Sequence, residues 1–537
     1  MAWRLAYLGL LLVRLYFTLS PSYIHPDEHF QGPQVIAGDV FAWNVSKTWE
    51  FTGDAPIRSV LPLWLAYGIP LTIVRWIYGS LVNPALAYYC LRIFFFVVSF
   101  CLQDWAIQEL GQSPKQRAHF LILTASSYVT WTYQTHTFSN SVETVLLLWC
   151  LVLMKKIFPS SLSSRRASWS PQFWNCCLLG ALVSIGIFNR ITFPAFLVLP
   201  AVWSLGRFAK SPLFVLYVLL SFTVMTLIAI RIDTAYYASH ASVVTPLNNF
   251  AYNFQSSNLA KHGLHARYTH VLINLPLLLG PYLFFIRPQI SIQFLSALSG
   301  IIVLSAFQHQ EARFIVPAVP LLLTAVHVPQ RILASRRTTN IVVAAVLAFN
   351  LALAALFGVY HQGGVVPVQA TYIAPRISSI SHAVWWKTYS PPDWLLGGHD
   401  NACLAHKGGI ENSEQLAMIL ANARSCAHGL NLWDVMGSDL TVVENLLASL
   451  AESQNQGHVL LVAPISCSGL YVLETRKSIN LTLQYVHGRH VNLDDLGYDA
   501  NEAEYHHHRD DLTLWDKVIE FGRQNRPGLG IWKVEHV

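Results

Sequence analysis

The chain has 537 residues, of which 53% are hydrophobic and 12% charged, with a mean hydropathy of +0.40 and a formal charge of +6. Charged residues at about half the usual globular share exclude an ordinary soluble protein of this length. The small positive excess also excludes a nucleic-acid footprint, because the basic residues fall in short clusters between apolar stretches, where bilayer topology accounts for them.

Apolar stretches long enough to cross a bilayer, or nearly so, run over 3–19, 60–78, 84–103, 119–135, 140–154, 174–190, 192–206, 213–231, 269–286, 290–306, 314–329 and 340–360. The first reads as a retained anchor, since Arg14 interrupts its apolar core and no small-residue cleavage site follows. Basic clusters at Lys115/Arg117, Lys155/Lys156, Arg165/Arg166, Arg207/Lys210 and Arg331/Arg336/Arg337 belong in the cytosol. That assignment puts 136–140, 232–269, 309–314 and everything after Tyr360 in the lumen. The sequons at Asn44 and Asn480 fall on the same side and are the candidate glycosylation sites.

A luminal loop at 20–58 and a cytosolic Lys115 require that either 60–78 or 84–103 does not span. The stretch 60–78 carries Pro62, Gly68, Pro70 and Arg75 and is the expected interfacial or re-entrant piece, which leaves about eleven crossings. The expected architecture is a polytopic α-helical membrane region over 1–360, with luminal loops 20–58 and 232–268, followed by a luminal soluble α/β domain over 361–537. In that domain 412–424 and 440–453 have helical spacing, whereas 458–463 and 469–475 read as buried strands. Of the eight cysteines, only Cys403, Cys426 and Cys467 lie in this soluble part, so at most one disulfide forms among those three.

Three polar clusters fall on the predicted luminal side. The first is His25-Pro26-Asp27-Glu28-His29-Phe30-Gln31, where adjacent carboxylates beside a membrane are costly unless solvated, paired or used. Two readings are open: Asp27 is a helix N-cap after Pro26 with Glu28 complementing the helix dipole, or one of the two carboxylates is a general base. The second is His309-Gln310-Glu311-Ala312-Arg313-Phe314, in which Arg313 is either an ion-pair partner of Glu311 or a planar fork for a phosphoryl group. The third interleaves Asn, aromatic and cationic residues over 248–268, with His262, His265 and Arg267. It suits either sugar and phosphate recognition or an interfacial aromatic belt. The tract His506-His507-His508 has no further ligands at definite spacing and reads as a solvated turn. No phosphate-cradling Gly-rich loop, paired-Cys motif, esterase elbow or luminal Asp-x-Asp is present, and neither a cofactor nor a metal is expected.

At these residues the chain resembles glycosyltransferase family 22, the multispanning GT-C mannosyltransferases of the endoplasmic reticulum lumen. The resemblance covers 25–31, Thr48-Trp49-Glu50-Phe51 with Ile57-Arg58-Ser59, Thr137-Phe138-Ser139-Asn140, 258–268 and 309–314. It implies dolichyl phosphate mannose as donor and a lipid-anchored glycan as acceptor. The heptapeptide 25–31 is nearest to members that add the fourth mannose to the glycosylphosphatidylinositol (GPI) precursor. Those that add the third, or that extend the dolichol-linked N-glycan precursor, are the nearest alternatives. On the resemblance the linkage is α-1,2 and formed with inversion, Asp27 is the base with Glu28 beside it, and His25, Gln31, Arg58, His262, His265, Arg267, His309, Glu311 and Arg313 bind substrate. A lipid-linked-sugar transporter or scramblase is the alternative of another class, although the paired inverted halves expected of one are not evident.

Overall fold

A computed structural model describes residues 2–79, 82–158, 169–255, 258, 263–398, 402–422, 429–453, 457–476, 478–493 and 526–537. Among them, five helices are long and apolar enough to cross a membrane: Val60–Tyr78, Pro84–Leu110, Pro171–Asn189, Pro212–Tyr236 and Arg336–Tyr360. A bent pair, Tyr128–Thr135 with Ser139–Ile157, makes a sixth if taken as one span. His270–Phe285 and Ile292–Ser305 are shorter apolar helices, so several stretches expected to cross are broken or short.

The stretch 60–78 is one continuous helix, and its length and composition would allow it to cross. Its two prolines are absorbed locally. Pro62 lies in the first turn, where its missing N–H would be unpaired anyway, and the wide π-turn Trp64–Gly68 precedes Pro70 and relieves the clash its ring would otherwise cause.

The anchor helix Ala2–Leu19 shows how a charge is tolerated in an apolar segment. Arg14 is fully buried, donates to Ser99 Oγ at 2.9 Å and pairs with Asp104 Oδ2 at 3.1 Å, while Tyr7 donates to the same oxygen at 2.6 Å. The pair staples the first helix to Pro84–Leu110.

After residue 360 the chain builds a six-stranded sheet from β1 (Ile380–Trp386), β2 (Ala402–Lys407), β3 (Leu430–Met436), β4 (His458–Pro464), β5 (Ile479–His487) and β6 (Leu529–His536). The order is β2-β3-β1-β4-β6-β5, parallel from β2 to β4, with β6 and β5 antiparallel at one edge. Strand periodicity divides the side chains between two cores. Val384, Trp386, Trp433, Leu461 and Trp532 pack under the helices Ser413–Asn422, Leu440–Glu452 and Ser468–Thr475. Ala383, Trp385, Leu432, Leu460 and Ile531 face the other way and share a core with Tyr23, Val35, Ile36, Leu71 and Leu91. The sheet is thus bolted to the chain between the first helices, on the same side as residues 20–58.

The expected helices at 412–424 and 440–453 and the strand at 458–463 are present. The run 469–475 is not a strand but a helix, Ser468–Thr475; its apolar residues Leu470 and Leu473 sit one turn apart, and a short apolar run does not distinguish the two periods. Cys403 is disulfide-bonded, whereas Cys426, the basic pair Arg165/Arg166 and the tract 506–508 lie outside the described residues.

Replacing Asp104 by Leu strands the Arg14 guanidinium and is expected to cost about 3–5 kcal/mol. The double variant Arg14→Met/Asp104→Leu recovers most of that loss, as read by reversible denaturation in detergent micelles.

Candidate active site

The acidic loop leaves the anchor helix at Leu19 and forms a single helical turn, Asp27–Phe30, with Pro26 as its N-cap. Asp27 is therefore not an N-cap, and no side chain caps this turn. Its carboxylate turns instead to Arg313, 286 residues away in sequence. Arg313 also binds Glu311 through Nε, and Glu311 in turn takes His309 Nε2 at 2.9 Å and lies 3.7 Å from His25 Nε2. His25 Nδ1 is 3.5 Å from Asp27 Oδ1. Asp27, Arg313, Glu311 and His25 thus form a closed polar ring to which His309 is joined through Glu311, with Asp27 at 18% and Arg313 at 10% side-chain exposure.

Electrostatics follow from that geometry. Burial alone would raise the Asp27 pKa, but the charges of Arg313, His25 and Arg58 outweigh it and hold it below its ordinary value. Burial likewise works against an ionised Glu311, yet Arg313 and the bond from His309 carry its pKa well down. The imidazole of His309 moves the other way, because the contact with Glu311 more than offsets its burial and raises its pKa. The two carboxylates are therefore ionised at neutral pH, and Arg313 is shared between two anions.

The Arg313 segment is held by its neighbours. Buried Gln310 donates to the carbonyls of Arg267, Ser305 and Phe307 and accepts from the amide of His270 at 2.8 Å. Asn140 donates to the carbonyl of Arg313 at 3.0 Å. His265 accepts from the Gln310 amide and lies with its ring 6.1 Å from that of His309. Arg267 is exposed and joins this cluster through its backbone carbonyl. His262 lies outside the described residues.

A second polar group sits nearby. Glu50 Oε1 accepts from Arg58 Nε and Nη2 at 3.1 and 2.9 Å and from Gln31 at 3.3 Å. This brings Gln31 and Arg58 together with Glu50, while Trp49 lies against Tyr252 of the later loop with the rings tilted, centroids 4.6 Å apart. The three clusters of the sequence thus converge, although Arg267 contributes no side-chain contact to the ring. The sequon residues Asn44 and Asn480 are both exposed.

Glu28 does not share the position of Asp27. It is 1% exposed and turned into the protein, where it accepts from the Ile24 amide at 3.1 Å and meets His136 Nδ1 at 2.5 Å. Burial raises its pKa to about 8 and drives that of His136 well down, so at neutral pH the acid proton is donated to a neutral imidazole, whose Nε2 faces Ser22. Thr137 closes the arrangement by donating to the Glu28 carbonyl. Geometry makes Glu28 an internal strut of the loop rather than a second carboxylate at the site.

Sequence reasoning overlooked Arg190 and Glu143, which pair at 3.2 Å at the end of one apolar helix and within another. Arg190 and Arg313 lie 5.4 and 5.2 Å from the ring centroid of Phe314. Their signal was legible, since an ionisable residue in an apolar segment calls for a partner.

Residues 5–396 match the Alg9-like mannosyltransferase family. The chain is 39% identical to GPI mannosyltransferase 4 of Aspergillus oryzae over 99% of both chains. It is 40% identical to that of Yarrowia lipolytica over 85% of this chain and 90% of the other. A more distant likeness, TM-score 0.49 at 13% identity over 90% of this chain and 96% of that one, is to ArnT from Cupriavidus metallidurans bound to undecaprenyl phosphate. The chain belongs to the Alg9-like family and is a polytopic, helical membrane mannosyltransferase.

Because Glu28 is protonated in the folded state and ionised when unfolded, its contribution to stability is complete below about pH 4.5 and is lost as the pH rises toward 8. Glu28→Gln reproduces the neutral acid, with its amide donating to His136. The variant is expected to gain stability relative to the parent between pH 5 and 8 in thermal melts and to keep most of its transferase activity.

Proposed function

We propose that this enzyme transfers mannose from dolichyl phosphate mannose to a GPI precursor, adding the fourth mannose in α-1,2 linkage on the luminal side of the endoplasmic reticulum membrane. The observation that carries this reading is the ring in which Arg313 is divided between Asp27 and Glu311. It sets a potential base and a potential phosphate ligand against each other where the acidic loop meets the later segment. The similarity to GPI mannosyltransferases along nearly the whole chain supports the acceptor class.

In this mechanism the donor phosphate attracts Arg313 away from Asp27, because a forked guanidinium binds a phosphoryl group well and a dianionic leaving group needs it more. His309 and His25 line the same position, and Glu311 keeps Arg313 oriented. Released from its counter-ion, Asp27 is a stronger base. It takes the proton of the acceptor 2-hydroxyl as that oxygen attacks the anomeric carbon from the face opposite the phosphate. The new C–O bond forms while the bond from the anomeric carbon to the phosphate oxygen breaks, its electron pair leaving with dolichyl phosphate. The β-linked donor thereby gives an α-linked product. The departing phosphate is already a stable anion and needs charge stabilisation rather than an acid.

About eleven crossings, with the helix Val60–Tyr78 lying at the luminal interface, reconcile a luminal site with a cytosolic Lys115. The unit 361–537 then lies in the lumen with residues 20–58, and Asn44 and Asn480 are open to glycosylation. Trp49 and Tyr252 form one aromatic wall for the two lipid-linked substrates, and Gln31 and Arg58 stand beside it.

Purified enzyme supplied with dolichyl phosphate mannose and a trimannosyl GPI precursor is expected to make the four-mannose product, with Asp27→Asn at least about 100-fold slower and folded. Product formed only from a dimannosyl GPI or an N-glycan precursor would reassign the acceptor, and a fully active Asp27→Asn would remove Asp27 as the base.

A further inference from the structure

The acidic loop is held on two sides. Its inner side is the Glu28–His136 strut described above. Its outer side rests on the C-terminal sheet, and the contacts come from the carboxyl ends of adjacent parts of that sheet. In open sheets of parallel strands this edge, where the following loops diverge, is the usual place for a ligand. Here it is filled by residues 23–30 of the same chain.

Three contacts define this seat. The indole of Trp394, fully buried, donates to His29 Nδ1 at 3.4 Å. Lys407, the last residue of β2, places Nζ 3.6 Å from the ring centroid of Phe30, a cation–π contact, and lies in the field of Asp434 and Asp393. Tyr389 sets its ring against Tyr23 at 5.3 Å and His25 at 6.5 Å, and Tyr23 donates back to the Ser390 carbonyl at 3.2 Å. The four residues touched, Tyr23, His25, His29 and Phe30, flank Asp27 on both sides in sequence.

The seat is itself anchored to the sheet. Ser390 donates to buried Asp434 at the end of β3, the Tyr389 amide donates to Gln362 at 3.2 Å, and its hydroxyl meets His361 at 3.2 Å. Neutral His29, whose pKa burial lowers to about 3, accepts the Trp394 hydrogen bond without a competing charge. Directional contacts between ordered elements fix an orientation that apolar packing alone would leave looser.

We infer that the carboxyl edge of the C-terminal sheet, through Tyr389, Trp394 and Lys407, is a positioning element for the catalytic loop, so that the last third of the chain takes part in turnover. Trp394 and Lys407 act through His29 and Phe30 on the placement of Asp27 opposite Arg313. This inference rests on the proposed reading of the Asp27 loop as part of the active site.

The test uses the full-length enzyme in detergent. Trp394→Phe keeps the ring and deletes the donor, and Lys407→Met keeps the stem and deletes the charge, so neither empties the seat. In variants whose melting profile matches the parent, kcat is expected to fall about 10-fold or more with KM for both substrates within about twofold, as expected when a reacting group is misplaced but substrates still bind. Unchanged kcat, or a loss confined to KM, would overturn the inference. A cycle with His29→Phe separates it from the identity of the base. If the Trp394→Phe effect on kcat disappears in the His29→Phe background, the coupling stands even should Asp27→Asn prove active; strictly additive effects overturn it.

Discussion

The arrangement depends on one guanidinium held between two carboxylates. Arg313 comes from a short segment between apolar helices, and Asp27 from the loop that follows the first helix. Neither charge is cheap to hold in so buried a place, and each is tolerated because the other is there. The pairing also fixes chain topology. Residues 286 apart in sequence must return to the same place, which brings Glu311, His309, His25 and the Glu50–Arg58 pair within one polar zone. Two further polar pairs repeat the same solution, Arg14 with Asp104 between two helices and Arg190 with Glu143 beside Arg313 across Phe314.

A consequence is that the two neighbouring acids of the loop have opposite characters. Asp27 faces cations and stays ionised, whereas Glu28, one residue on, faces the interior and keeps its proton. Reversal of side-chain direction within a single helical turn is enough to separate a reactive group from a structural one. The C-terminal sheet adds the outer support. One of its faces belongs to a small core of its own, and the other belongs to the core of the membrane-proximal chain.

Much of this was legible in the sequence. Long apolar stretches announced the helices, and charged residues placed against them announced the clusters around Asp27 and Arg313, because charge beside hydrocarbon requires a partner. What composition does not encode is which partner. The bond from Asp27 to Arg313 spans most of the membrane region, and no local pattern records it. Glu28 reads like Asp27 until His136 and the Ile24 amide are found around it. The helix Ser468–Thr475 was mistaken for a strand because a run so short fits either period. Trp394 and Lys407 carry no motif at all, and their bearing on the acidic loop follows from sheet topology alone.

If Arg313 is divided between Asp27 and the donor phosphate, neutralising Asp27 frees the guanidinium for the lipid. The direct measurement is the affinity of purified enzyme for dolichyl phosphate, compared between the parent and Asp27→Asn. The account predicts that the variant binds the phospholipid several-fold more tightly, even though it has lost its base. Unchanged or weaker binding would contradict it, since Arg313 would then be committed to holding the loop and not to the phosphate.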